Sequence, residues 1–175
     1  MTKIETQIIY KDGIENRPDY LKAKNIADKL EEFMNKSDIQ ETLAKTHQLY
    51  ANSTEIQEII LPKAIELGFS SEKKGLFNNY TVKALRPDYY LDLGNNSGII
   101  MEVERGKTIA NNMDLLDLWK CHICENANFL FLIVPRIRQT ETGQNSIYEP
   151  VENRMSTFFE LKNYTNVDAV FLFGY

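Results

Sequence analysis

The sequence predicts an α/β fold, a mixed β-sheet with flanking helices and a helical N-terminal region. Three observations predict it. The first third carries apolar residues at helical spacing between start and stop signals. From Leu76 the pattern turns to short apolar runs separated by turn residues. Further amphipathic segments then alternate with those runs, as they do in sheets covered by helices.

Taken in order, residues 4–10 read as a short strand stopped by Asp12-Gly13. Pro18 suits a first helical turn, and Leu21, Ile26, Leu30 and Phe33 follow at helical spacing. Ser37-Asp-Ile-Gln40 is a capping-box pattern opening a second helix with Ile39, Leu43 and Tyr50 on one face. Asn52-Ser-Thr-Glu55 opens a third helix that runs to Leu67 and is closed by Gly68. Pro62 inside it predicts a kink or restart, because proline removes a hydrogen bond and clashes one turn back. Strands are expected at Leu76–Val82, Pro87–Leu93 and Gly98–Glu104. Lys107–Cys124 reads as an amphipathic helix whose apolar stripe is Leu115, Leu116, Trp119 and Ile123, with Trp119 as a core anchor. Phe129–Val134 is an apolar run of buried-strand length. Arg136–Pro150 reads as polar loop, Val151–Leu161 as helix and Val167–Phe173 as a last strand.

At 175 residues the chain is expected to form a single domain, 1–175, with 1–51 its helical part and 52–175 its core. No apolar run has the roughly 20 residues of a membrane span, and no signal-peptide pattern opens the sequence. Two cysteines make no disulfide framework, which fits a reducing cytoplasm. A net charge of −5 speaks against a general nucleic-acid coat protein. Cys121-His-Ile-Cys124 lacks the second ligand pair of a structural zinc site and reads as core packing. Gly106-Lys107-Thr108 sits where a phosphate loop would, but Met101 stands where that pattern needs glycine.

The informative segment is a hairpin. Side chains alternate faces along a strand. Odd positions give Tyr89, Leu91, Leu93, Ile99, Met101 and Val103, an apolar face for the core. Even positions gather four carboxylates, Asp88, Asp92, Glu102 and Glu104, beside Tyr90 and Ile100. An odd loop pairs Leu93 with Ile99 and sets Asp88 opposite Glu104, with Glu102 diagonal to it. A two-residue Asn95-Asn96 turn would throw the acids of one strand onto the apolar side of the other. The shared apolar face therefore calls for the odd loop, or a bulge of equal effect. Converging carboxylates resist ionising together unless a cation sits between them. Hard divalent cations take one or two carboxylates with waters and phosphate oxygens. The bland alternative is a solvated acidic sheet face, which Ile100 does not suit.

Pro87-Asp88 at one strand and Glu102-Val103-Glu104 at the end of the next resemble the PD-(D/E)XK nuclease superfamily of restriction-endonuclease-like proteins. The family core of helix, three strands, helix and strand matches the order read over residues 52–135. The resemblance implies a restriction-endonuclease-like mixed sheet and a DNA endonuclease, with a type II restriction enzyme as one form. It implies Mg²⁺ (or Mn²⁺) held by Asp88 and Glu102, with an acid from the preceding helix, Glu58 or Glu55. It also implies DNA as partner and a homodimer that cuts both strands. One departure is that Glu104 occupies the family's lysine position, as in some restriction enzymes. Glu104 would then be a further ligand or a proton acceptor for the attacking water. Lys107 or Arg105 would supply the positive charge, and Arg136 and Arg138 are candidates for backbone contact. The alternative expectation is a catalytically inactive DNA-binding or defence-associated module. A third class is a regulatory domain whose acids are only surface.

Overall fold

The computed structural model describes residues 3–49, 53–71, 75–81, 85–160 and 165–175. Its elements are β1 (Glu5–Tyr10), α1 (Pro18–Met34), α2 (Ser37–Thr46), α3 (Ser53–Glu66), β2 (Ser70–Ser71), β3 (Tyr89–Gly94) and β4 (Ser97–Val103). There follow α4 (Met113–Ile123), β5 (Phe129–Val134), β6 (Ile137–Thr140), β7 (Gly143–Ser146), α5 (Tyr148–Thr157) and β8 (Ala169–Gly174).

Six strands form one mixed sheet in the order β1-β8-β5-β4-β3-β2. β4, β5 and β8 run parallel, and β1, β3 and β2 complete the sheet by antiparallel pairing. The central strands are buried on both faces, which is why Phe129–Val134 and Ala169–Gly174 are continuous apolar runs. On one face Tyr89, Met101, Phe131 and Phe171 pack with α1, α2 and α3. On the other, Tyr90, Ile100, Leu132 and Leu172 pack with α4 and α5. Ile100 is therefore core, and the even face of the hairpin, apart from Asp92 near the turn, is covered by helices rather than solvated.

Several expectations are corrected. Residues 75–79 form turns instead of a strand, with Asn78 and Tyr80 N–H groups bonding back to the Gly75 and Phe77 carbonyls. Phe77 is buried there against Tyr80, and positions 82–84 lie outside the described residues. The antiparallel neighbour of β3 is instead Ser70–Ser71. The capping box is not made: Lys36 is the cap residue, and Gln40 bonds the Asn35 side chain. α3 runs from Ser53 to Glu66 through Pro62 without restarting. Tyr50 and Asn52 lie outside the described residues. The expected polar loop after Pro135 contains the β6–β7 hairpin, and α5 begins at Tyr148.

Candidate functional site

The hairpin turn fixes the register of the site. Asn95 and Asn96 both adopt positive φ, 55° and 57°, the left-handed pair that a tight two-residue hairpin turn needs. The ladder shifts between Asp92 and Gly94, leaving Leu93 as a bulge. That extra residue restores the parity the turn alone would break. Tyr89 pairs Met101, Leu91 pairs Ile99 and Asp92 pairs Gly98. The expected register was two residues longer. Asp88 consequently meets Glu102, not Glu104: its N–H donates to Glu102 Oε2 at 3.2 Å, and its Oδ2 accepts from Val103 N–H at 2.9 Å. Asp92 does not join the cluster. It is exposed at the turn, where Oδ1 accepts from Gly94 N–H at 2.7 Å.

Helix α4 completes the arrangement with a buried face that follows its expected stripe only in part: Leu115 and Ile123 pack half-buried against the core. Leu116 and Trp119 are 38% and 40% exposed, whereas Asp114, Asp117 and Lys120 are 0%, 1% and 7% exposed. Trp119 is thus no core anchor. The helix begins at Met113, because Asn112 before it is left-handed (φ 53°) and interrupts the turns that start at Lys107. The buried helix face sits against β4 and β5, bringing Lys120 Nζ to 2.5 Å from Glu102 Oε1 and 2.9 Å from Asp117 Oδ1. The second contact is not aligned as a hydrogen bond. Both Asp117 oxygens are buried with no hydrogen-bond donor among the described residues. Asp114 is answered by Arg154 of α5 at 3.1 Å.

Burying so many charges is costly, and the acids respond. Burial, then Asp117 and Asp88, push the Glu102 carboxyl well above its ordinary range, with Lys120 pulling it back. Burial, with Asp117 and Asp88 adding repulsion, lifts Glu104 to about 8. Asp117 is pushed by burial up to about 6 against the pull of Lys120. Burial also opposes the Lys120 charge, but Glu102 and Asp117 outweigh it and raise its pKa.

The remaining expected residues are placed as follows. Glu104 is half-buried next along the chain after β4, its carbonyl held by the Tyr175 hydroxyl at 3.0 Å. Lys107 is exposed in the turns before α4. Arg105 donates to the Gln48 carbonyl. Glu58 and Glu55 are both exposed on α3 and line one shallow hollow with Gln48, so neither is preferred. Arg136 pairs with Glu5 and lines a cavity of about 680 Å³ with His47 and Tyr148. Arg138 lies on β6 opposite Asn145. Cys121 and Cys124 are buried in the core under α4.

The sequence reading missed Asp117 and Lys120. The available signal was their spacing: Asp114, Asp117 and Lys120 recur every three residues on an otherwise apolar helix, one charged stripe among hydrophobic residues. By donor type the cluster fits a hard divalent cation: carboxylate oxygens, of which Asp117 Oδ2 has no partner among the described residues. Among the described residues no three His, Cys, Asp or Glu side chains stand close enough to grip an ion as they are. Lys120 contacts Glu102 and Asp117 together.

The fold is restriction-endonuclease-like, with a mixed sheet, flanking helices and carboxylates at the carboxyl end of its central hairpin strand. A solved structure of similar fold is the restriction endonuclease BglII complexed with a DNA 16-mer. The TM-score is 0.50 at 13% identity, over 99% of this chain and 76% of that chain. No protein-family model and no curated protein matches the chain.

Proposed function

We propose that the chain is a divalent-metal-dependent DNA endonuclease of the PD-(D/E)XK type, hydrolysing phosphodiester bonds as restriction enzymes do. The observation that carries this reading is the meeting of Asp88, just before β3, with Glu102 on β4, beside a helix that buries Asp114, Asp117 and Lys120 while Trp119 stays exposed. Asp88 and Glu102 would hold Mg²⁺ or Mn²⁺, whereas Glu58 and Glu55, the acids expected from the preceding helix, stand exposed on α3, on the other face of the sheet from α4. When bound, such an ion polarises the phosphate and lowers the pKa of a coordinated water.

Glu104, with its carboxyl near 8, is poised to exchange a proton with the attacking water close to neutral pH. Lys107, exposed just beyond Glu104, and Arg105 are the chain's candidates for the phosphate charge; Arg138 is one for the DNA backbone. Arg136 serves that role less directly, since Glu5 already pairs with it. DNA as substrate is supported by the DNA-bound state of the similar structure. Cutting both strands calls for two such sites, hence a homodimer, and sedimentation with a cognate duplex is expected to show two copies per site.

The test is nicking of supercoiled plasmid with Mg²⁺ or Mn²⁺. Glu102→Gln, which keeps the side-chain shape, is expected to slow cleavage by at least about 100-fold while the thermal transition persists. Equal cleavage by the variant would sink the proposal. A second reading, an inactive DNA-binding module, is favoured by one observation, the glutamate at 104 in place of lysine. Retained DNA binding with no cleavage under any metal selects it.

A further inference from the structure

Three acids on this side of the sheet are almost out of solvent: Glu102, Asp114 and Asp117, at 3%, 0% and 1% exposure. Among the described residues two cations reach them. Arg154 serves Asp114 at 3.1 Å. Lys120 serves the other two at once, at 2.5 Å from Glu102 Oε1 and 2.9 Å from Asp117 Oδ1. A lysine retained only to hold the fold together would be expected to satisfy its buried partner, since unsatisfied buried oxygens are rare and costly. Here neither Asp117 oxygen has an aligned hydrogen-bond donor among the described residues. Lys120 Nζ answers Asp117 Oδ1 as an ion pair at 2.9 Å, and Oδ2 has no donor among the described residues.

We propose that Lys120 is a stand-in cation, occupying between Glu102 and Asp117 the place of the divalent ion, and that Asp117 is an additional ligand of that ion. The inference rests on the nuclease reading above and deepens it. Asp117 comes from the helix that follows the hairpin, on the opposite face of the sheet from Glu58 and Glu55. Lys120 and the ion compete for the same two carboxylates. Displaced from them, Lys120 keeps its charge on a flexible four-carbon stem beside the site, and supplies the positive group that position 104 does not.

The experiment is calorimetric titration of Mn²⁺ into the full chain, as wild type, Lys120→Met and Asp117→Asn, with plasmid nicking assayed in parallel. Lys120→Met is expected to bind Mn²⁺ about tenfold more tightly, because its competitor is gone, and Asp117→Asn about tenfold more weakly. Lys120→Met is also expected to nick about 100-fold more slowly despite its tighter metal. Tighter binding with slower cleavage is a split that a merely structural lysine would not produce. Mn²⁺ affinity no greater than wild type in Lys120→Met, or unchanged in Asp117→Asn, overturns the inference. If Lys120→Met shows no cooperative melt, Asp117→Asn is compared with the Asp117→Asn, Lys120→Met double variant, which removes one acid with one base. Tighter binding in the double is then expected, and equal binding overturns the proposal. A wild type that binds and nicks while Lys120→Met behaves identically removes this inference alone. A wild type with neither Mn²⁺ binding nor nicking removes the nuclease reading and this inference with it.

Discussion

Glu104 shows how one residue's surroundings become a measurable property. Its carboxyl is raised from 4.5 to about 8 by burial and by Asp117 and Asp88. Between those two values the folded protein holds a proton that the unfolded chain has released. Stability of the metal-free protein should therefore fall as pH rises from about 4.5 to about 8. Urea midpoints measured across that window are expected to decline for the wild type, and to decline less for Glu104→Gln. Added Mn²⁺ should stabilise most at the upper end, where a cation relieves the ionised cluster. Asp88 and Glu102 were legible from the motif alone, because strand alternation fixes which side chains share a face. Their direct meeting was not, since it depends on the bulge at Leu93.

Helix α4 is the element on which the sequence reading and the structure differ most. Periodicity found an amphipathic helix with Leu115, Leu116, Trp119 and Ile123 as its stripe; Leu115 and Ile123 pack half-buried, but Leu116 and Trp119 face solvent. The structure buries Asp114, Asp117, Leu118 and Cys121. Two substitutions separate these orientations. Leu118→Ala should cost about 2–4 kcal/mol by chemical denaturation. Trp119→Ala should cost no more than about 1 kcal/mol, since much of the ring faces solvent. The reverse ranking would return the helix to its expected rotation. The reason for the error is physical. An apolar stripe marks the buried side only when burial of hydrocarbon alone sets the helix rotation. Here ion pairing with Glu102 competes with it.

Across the whole molecule, one sheet carries two cores. Phe131 is fully buried on the face covered by α1, α2 and α3, its ring centroid 4.9 Å from that of Phe171, 5.6 Å from Phe173 and 6.2 Å from Phe69. Phe131→Ala should cost about 3–5 kcal/mol in urea unfolding, because aromatic neighbours on three sides leave little room for the site to collapse. The same double coverage explains why the acidic face is not a solvated surface. α4 and α5 close over it, and desolvation is what perturbs the acids.

The sequence by itself determined most of the helices and strands, the apolar and acidic faces of the hairpin, and the candidates Asp88, Glu102 and Glu104. Those properties are local: spacing, alternation and turn residues carry them. Only the tertiary structure decided that Asp88 meets Glu102, that α4 turns its charges inward, and that Lys120 reaches a carboxylate 18 residues away. Each of these depends on contacts between separate elements. A one-residue bulge sets the first, and the electrostatics of a buried face set the other two. No periodicity along a single segment encodes either.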